Sequence, residues 1–191
     1  MDNITLNGID KAFGGNHVLQ DFSALIHAGK MTCIMAPSGK GKTTLLRILM
    51  GLDQQDSGII TGLEGLKLSV VFQEDRLCDN LTAAANIRLT CPNKTHCDVE
   101  EGLRALGLAG CIHQPTRELS GGMRRRVALL RALMAEYDLL ILDEPFKGLD
   151  VDTKAIVMEY TRLHIAGKTA ILVTHDLEEA QALDAGMMIT L

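Results

Sequence analysis

Residues 36–43 place two lysines, two glycines and two hydroxyl side chains within eight positions, in the order Ala-Pro-Ser-Gly-Lys-Gly-Lys-Thr. Small residues let backbone N–H groups approach an anion, and the helix-like segment that follows adds unpaired donors and a positive dipole end. Lys42 is then placed to reach the β- and γ-phosphates of a nucleotide, and the Thr43 hydroxyl to bind Mg²⁺. The pattern predicts a phosphate site formed by Pro37, Ser38, Gly39, Lys40, Gly41, Lys42, Thr43 and Thr44.

A second candidate for catalysis is the pair of acidic residues Asp143 and Glu144. They follow the apolar run 139–142 and precede Pro145. A buried strand that ends in a carboxylate places that carboxylate at the carboxyl edge of a sheet, where open α/β sheets bind their ligands. Asp143 would bind the Mg²⁺ of the nucleotide there, directly or through water. Glu144 is placed to orient or deprotonate an attacking water molecule.

The elements that must position these residues can be predicted from the apolar pattern. Short apolar runs alternate with amphipathic segments, which is typical of an α/β protein with a mainly parallel sheet. The first thirty residues instead predict antiparallel strands around Gly14 and Gly15. Buried parallel strands are predicted at 32–35, 68–72, 138–142, 169–174 and 187–191, and helices at 82–89, 98–108, from Ser120 onward, and at 154–163 behind Asp150 and Asp152.

Composition limits the classes of function. The 191 residues carry a net charge of −5, with 47% hydrophobic and 23% charged residues, and these values suit one globular domain. The negative charge and the few aromatic residues argue against a nucleic-acid partner. No apolar run is long enough to span a bilayer, and the N-terminus lacks signal-peptide character, so we expect a cytoplasmic chain.

Two other groups of reactive or charged side chains are not interpreted as catalytic or metal sites. The cysteines and histidines at 91, 96, 97, 111 and 113 contain no C-x-x-C pair and fit no standard zinc spacing, and the five cysteines are expected to be reduced thiols. Arg124, Arg125 and Arg126, with Arg131 beyond them, spread around a helix instead of forming one stripe. We expect them to form a solvated face with dimer-interface or nucleotide contacts.

The segment Leu119-Ser120-Gly121-Gly122-Met123 resembles the signature sequence of the ATP-binding-cassette (ABC) ATPases, and, as in that family, a helix separates it from the strand before Asp143. The resemblance implies that Ser120, Gly121 and Gly122 reach across a dimer to the γ-phosphate bound by the other subunit. Met123 stands where the family commonly has glutamine, which removes one polar contact. Ala36 likewise stands where the phosphate loop usually begins with glycine.

Further family motifs follow in the family's order. Gln73 is similar to the Q-loop glutamine, which contacts Mg²⁺ or the attacking water and senses the transmembrane partner. Phe13 stands where the family has an aromatic residue that stacks on adenine, although tyrosine is commoner. Residues 148–150 resemble the D-loop that crosses the dimer, which includes Asp150. His175 resembles the switch histidine that contacts the γ-phosphate.

The resemblance covers essentially the whole chain and implies the ABC ATPase fold, a P-loop NTPase core with N-terminal antiparallel strands and a helical insert. One domain would cover residues 1–191, with the core at 1–80 and 120–191 and a helical subdomain at 81–119. ATP and Mg²⁺ are the implied ligands, with metal ligands Thr43, Gln73 and Asp143 and catalytic residues Glu144, His175 and Gln73. The subunits would form a homodimer or pseudo-dimer on transmembrane permease subunits, at the inner face of the membrane.

Residues 72–77 and 81–83 resemble importers for nitrate, sulfonates and taurine, although the tryptophan usual after the Q-loop is missing. The implied function is ATP hydrolysis that powers transport. The alternative is a nucleotide-gated regulatory module with little turnover, which Ala36 and Met123 leave open.

A GTPase is rejected because Asn93-Lys94-Thr95-His96 lacks the guanine-reading aspartate, and a P-loop kinase does not account for the signature or His175. Many relatives continue beyond the strand at 187–191, so the chain is either naturally short or truncated.

Overall fold

A computed structural model describes residues 2–35 and 41–191 of the chain. The strands are β1 Ile4–Phe13, β2 Asn16–Ile26, β3 Met31–Met35, β4 Ser57–Thr61, β5 Leu68–Val71, β6 Leu139–Asp143, β7 Thr169–Val173 and β8 Met187–Thr190. The helices are α1 Lys42–Leu49, α2 Ala83–Arg88, α3 His96–Ala105, α4 Gly121–Met134, α5 Val151–Ile165 and α6 Leu177–Ala182. Two single turns of 3₁₀ helix, Ala109–Cys111 and Thr116–Glu118, precede α4.

The larger sheet has five parallel strands in the order β5-β6-β7-β3-β8. Its central strands are buried on both faces, which is why they read as continuous apolar runs. Along β6, Leu140 and Leu142 face one hydrophobic core, and Leu139 and Ile141 face the other. The first core is formed with α2–α5, and the second with α1 and the antiparallel strands. The predicted α/β class is therefore confirmed.

The smaller sheet is antiparallel, in the order β2-β1-β4. The β1–β2 hairpin turns at Gly14 and Gly15, which both have positive φ angles and adopt them without the steric cost of a side chain. The third strand, β4, was not predicted from the sequence. It is short, mostly exposed, and contains Gly58 at φ +92°, so it has no alternating apolar pattern. Its pairing with β1 is what makes it a strand.

The segment between β5 and α4 contains α2, α3 and the two 3₁₀ turns. Thr82 caps α2, and Thr95 caps α3 in a reciprocal capping box with Asp98, so both N-termini follow from local sequence. Helix α2 packs against α4. Within residues 2–35 and 41–191, no helix has the length and apolar character needed to cross a membrane.

Candidate functional site

Parallel strands bring the predicted site residues to one edge of the sheet. Strand β6 ends at Asp143, which is in register with Val173 at the end of β7, and Val173 is also in register with Ile34 of β3. Strand β5 ends beside β6. Glu144 directly follows β6, and Gln73 and His175 lie two positions beyond the ends of β5 and β7. Residues 36–40 lie outside the described part of the chain, so the predicted roles of Pro37, Ser38, Gly39 and Lys40 have no structural description here.

The described part of the phosphate loop begins at Gly41, the N-cap of α1. Gly41 has φ +88°, and a Cβ atom there would lie 2.7 Å from the carbonyl oxygen of Val18 in β2. The loop exit therefore requires glycine for two reasons, conformation and space. Lys42, Thr43 and Thr44 follow in the first turn of α1, where the N–H groups lack helical acceptors.

Thr43, Gln73 and Asp143 line one cavity of about 180 Å³, together with apolar side chains that include Leu46 and Val70. These three residues are the predicted Mg²⁺ ligands. A hydroxyl, an amide and a carboxylate supply the oxygen donors that Mg²⁺ prefers. The residues present therefore fit the metal.

Burial raises the pKa of Asp143, and the negative charge of Glu144 raises it further. The positive charges of Arg125, Lys42 and Lys147 oppose this shift in the pKa. A bound cation would oppose the effect of burial, because positive charge favours the ionised carboxylate.

Glu144 has a φ angle of +49°, in the left-handed region that residues with a Cβ atom rarely adopt. Its side chain is 14% exposed, and its Oε1 atom lies 2.9 Å from Nδ1 of His175. Because an ionised carboxylate only accepts hydrogen bonds, Nδ1 carries the proton in this pair. The imidazole of His175 is 73% exposed, so it faces the solvent at the edge of the sheet.

The signature residues lie at the N-terminus of α4. Ser120 is the N-cap, and its hydroxyl accepts a hydrogen bond from the N–H of Met123 at 3.3 Å. Ser120 and Gly121 are exposed. A Cβ atom on Gly122 would lie 3.5 Å from the Leu149 side chain, so Gly122 lies beside the predicted D-loop of its own chain.

The two remaining predicted binding residues are also exposed. Asp150 caps α5 by accepting a hydrogen bond from the N–H of Thr153 at 3.0 Å, and this bond lowers the pKa of Asp150. Phe13 ends β1 with half of its surface exposed, and Nζ of Lys11 lies 5.1 Å from the centre of its ring. The aromatic ring of Phe13 is therefore accessible to a planar ligand.

The expectation that the arginine run forms a solvated face is wrong for Arg125, which is only 4% exposed. Its guanidinium donates hydrogen bonds to the carbonyls of both the segment after β5 and the segment after β6. The helical pattern contained a signal for this burial, since Arg125 shares a face of α4 with Ala128, Leu129 and Ala132, all of them buried. The run of three arginines does not by itself show that Arg125 is the buried one.

The sequence analysis did not predict a network of four polar side chains next to His175. Thr174 donates a hydrogen bond to the carboxylate of Glu179 at 2.6 Å, and Nζ of Lys154 lies 2.6 Å from Glu179 and 2.7 Å from Asp176. Glu179 is buried. These four residues connect the segment around His175 to the first turns of α5.

Among the described residues, no group of three histidine, cysteine, aspartate or glutamate side chains is arranged to bind a metal. Cys33, Cys91 and Cys111 are buried and Cys78 and Cys97 are exposed, all as free thiols. The argument for a metal therefore depends on Thr43, Gln73 and Asp143, which line one cavity with apolar residues, Glu74 and the arginines Arg47 and Arg76.

A profile of the ABC transporter family matches residues 19–147. An aliphatic sulfonates import ATP-binding protein of Burkholderia cenocepacia is 39% identical over 183 residues, which cover 89% of this chain and 67% of the relative. A taurine import ATP-binding protein of Pelagibacter ubique is 41% identical over 182 residues, which cover 87% and 68%. An aliphatic sulfonates import ATP-binding protein of Rhodococcus jostii is 38% identical, with 97% and 78% covered.

Among solved structures, a bacterial Atm1-family ABC exporter with ATP bound is similar with a TM-score of 0.85 at 23% identity. The match covers 100% of this chain and 37% of the exporter chain. This likeness shows a shared fold, which includes both sheets and the helices between them.

Proposed function

The chain belongs to the ABC transporter family, and we propose that it is the ATP-hydrolysing subunit of an importer. The family membership makes the chain an ABC-type ATPase. One observation carries the proposal for the site: Thr43, Gln73 and Asp143 line one cavity at the sheet edge, and the paired Glu144 and His175 follow the ends of two adjacent strands there.

In this mechanism Lys42 and the N–H groups in the first turn of α1 bind the β- and γ-phosphates of ATP. Thr43, Gln73 and Asp143 would bind Mg²⁺, which supplies positive charge to the phosphate oxygens when bound. Glu144 orients a water molecule and accepts its proton as the water oxygen bonds to the γ-phosphorus. The bond from the γ-phosphorus to the bridging oxygen of ADP breaks, and ADP and phosphate leave.

His175 supports this step through its contact with Glu144. Its Nδ1–H group donates to the carboxylate and keeps it oriented, and Nε2 would donate to the γ-phosphate when both ring nitrogens carry protons. Charge stabilisation and positioning supply most of the rate in phosphoryl transfer. Phe13 would stack on the adenine.

The exposed signature residues supply the reason for a dimer. Ser120 and Gly121 lie at the N-terminus of a 14-residue helix that has no acidic residue in its first turn, so its dipole and N–H groups suit an anion. We infer that Ser120, Gly121 and Gly122 bind the γ-phosphate held by a second subunit, with Asp150 at the interface. The dimer would be a homodimer or a pseudo-dimer.

The names of the relatives support a partner and a location. The relatives are named as import ATP-binding proteins for aliphatic sulfonates and taurine, which supports transmembrane permease partners and a small sulfonate as cargo. The chain would then lie on the cytoplasmic face of the membrane, with Gln73 and the helical subdomain 81–119 toward the permease. Residues 1–80 and 120–191 would form the core of a single domain.

The test is the Glu144→Gln variant, compared with wild type in ATP hydrolysis and in light scattering after gel filtration. Glutamine keeps the shape of the side chain and removes the proton acceptor, so hydrolysis should fall at least 100-fold while ATP binding persists. ATP should then shift the variant from monomer to dimer. Glu101→Gln, on the exposed surface of α3, is the matched control and should behave as wild type. Normal hydrolysis by Glu144→Gln would contradict the proposal.

A further inference from the structure

The guanidinium of Arg125 lies between the two segments that carry the predicted catalytic residues. On one side its Nε donates to the carbonyl oxygen of Pro145 at 3.0 Å, and Nη2 donates to the carbonyls of Asp143, at 2.8 Å, and Glu144. Three consecutive carbonyls therefore converge on one cation. The left-handed φ angle of Glu144 lies at the centre of this turn.

On the other side, Nη1 of Arg125 donates to the carbonyls of Phe72 and Gln73 and to the carboxylate of Asp75, the last at 3.3 Å. The side chain is buried, so water does not readily replace these bonds. The planar guanidinium has five N–H donors in a fixed arrangement, and a change in the position of one segment therefore alters its bonds to the other.

Two neighbouring arginines contact the segment after β5 and not the 143–145 turn in the hydrogen bonds and ion pairs of the described residues, and Arg124 also donates to the carbonyl of Thr116. Arg131 donates to the carbonyls of Arg76, at 3.0 Å, and Asp75, at 3.3 Å. Arg124 lies 2.8 Å from Asp79 and 4.0 Å from Asp75. Arg125 differs because its bonds also reach Asp143, Glu144 and Pro145.

We propose that Arg125 is a positioning residue that fixes the 72–76 segment and the 143–145 turn relative to each other, so that Gln73 and Glu144 move as one unit. This inference rests on the proposed function, in which Gln73 lies toward the permease and Glu144 activates water. A partner that displaces residues 72–76 would change the orientation of the Glu144 carboxylate through this guanidinium. Arg125 thus links the permease contact to hydrolysis without contacting ATP.

The first experiment measures hydrogen–deuterium exchange in the full chain for wild type, Arg125→Lys, Arg125→Gln and Arg131→Gln. Both Arg125 variants should speed exchange at least threefold in peptides covering 72–78 and 143–149 together. Exchange in the 45–50 peptide of α1 should stay within 1.5-fold of wild type. Arg131→Gln should affect the 72–78 peptide alone, because Arg131 does not bond to the 143–145 carbonyls in the described structure.

The second experiment measures ATP turnover and the affinity for a fluorescent ATP analogue. Arg125→Gln should lower kcat at least tenfold with less than a threefold change in nucleotide Kd, and Arg125→Lys should recover part of kcat because it retains the charge. A control, Arg88→Gln at the exposed end of α2, should leave both unchanged. A merely structural role would raise exchange throughout the chain and weaken binding and turnover together.

The proposal is overturned if the two peptides respond separately, or if both Arg125 variants exchange like wild type. The lysine variant keeps the test open if the glutamine variant fails to fold. The exchange measurement needs no turnover, so its outcome stands apart from the Glu144→Gln test. Normal hydrolysis by Glu144→Gln together with coupled exchange at Arg125 would reject the proposed function while leaving the mechanical link intact.

Discussion

Nδ1 of His175 lies 2.9 Å from Oε1 of Glu144. The two residues follow the carboxyl ends of β7 and β6, so the carboxylate and the imidazole meet at the same edge of the sheet. The two residues are 31 positions apart in the chain. Their meeting depends on the parallel register of Asp143 with Val173. The carboxylate is mostly buried and the imidazole mostly exposed.

Replacement of His175 by alanine should lower kcat for ATP hydrolysis about 100-fold, since the Glu144 carboxylate loses the donor that orients it. Nucleotide Kd should change less than fivefold, because Lys42 and the α1 N-terminus remain. Steady-state hydrolysis and analogue titration measure the two effects. His113→Ala, at an exposed position in the 81–119 segment, serves as the control. A His175→Ala enzyme with wild-type kcat would remove the imidazole from the mechanism.

Gly41→Ala and Gly15→Ala form a matched pair, because the φ angles are +88° and +84°. The left-handed backbone should cost each variant about 1 kcal/mol of unfolding free energy. Gly41→Ala should cost about 2 kcal/mol more, since its Cβ atom would lie 2.7 Å from the Val18 carbonyl, whereas no atom lies within 4 Å at Gly15. Urea denaturation measures the difference. Equal losses of unfolding free energy in the two variants would mean that the backbone at Val18 moves to make room for the added methyl group at little cost.

Gly41→Ala should also weaken ATP binding at least tenfold, as the methyl group displaces the start of α1 from the phosphate position. Gly15→Ala should bind ATP like wild type. The comparison separates a local effect on the phosphate loop from a general loss of stability, because both variants carry the same backbone penalty.

The magnesium assignment predicts a metal-dependent difference for Asp143→Asn. Without Mg²⁺, in EDTA, the variant should bind ATP at least as well as wild type, since a buried negative charge has been removed. With Mg²⁺, wild type should gain at least tenfold more affinity than the variant, because Asp143 supplies the charged ligand of the cavity. Equal gains from Mg²⁺ in both proteins would contradict the assignment.

Lys154→Met should lower the free energy of unfolding at pH 7 by about 3 kcal/mol, because it leaves the buried Glu179 carboxylate without its cation. Lys67→Met is the control. Nζ of Lys67 lies 3.6 Å from Glu136 at an exposed site, where an ion pair contributes about 0.5 kcal/mol. Urea denaturation of both variants gives the comparison, and similar losses would contradict a structural role for the Lys154 network.

The effect of Lys154→Met should also depend on pH. The hydrogen bond from Lys154 lowers the pKa of Asp176 below its usual 3.8. A depressed carboxyl pKa stabilises the fold above the unfolded value and loses this contribution as the pH falls through the folded value. The difference between wild type and Lys154→Met should therefore shrink below about pH 4. Unfolding curves at pH 7 and pH 3.5 measure this change, and a constant difference would mean that Asp176 contributes nothing.

The candidate site could be predicted from short segments of the sequence. The run 36–43, Asp143 with Glu144 after an apolar run, and the Ser120 cap each combine residue type with an adjacent element. Continuous apolar runs also predicted all five parallel strands to within one or two residues. These features depend on neighbours along the chain, so sequence patterns record them.

Other features depend on residues far apart in the chain, and for these the local pattern was insufficient. Strand β4 exists because it pairs with β1, whose partner residues lie 47 to 56 positions earlier in the chain. In the sequence Arg125 is one of three consecutive arginines, but its hydrogen-bond acceptors lie 18 to 53 positions away along the chain.

The sequence by itself determined the α/β fold with its buried parallel strands, and it predicted the candidate chemistry of the phosphate loop, the acidic strand end and the signature. Only the tertiary structure decided which side chains meet, such as Glu144 with His175, or Arg125 with two separate loops. The reason is physical. A buried guanidinium needs many acceptors to offset its lost hydration, and those acceptors are backbone carbonyls, which look alike in every sequence.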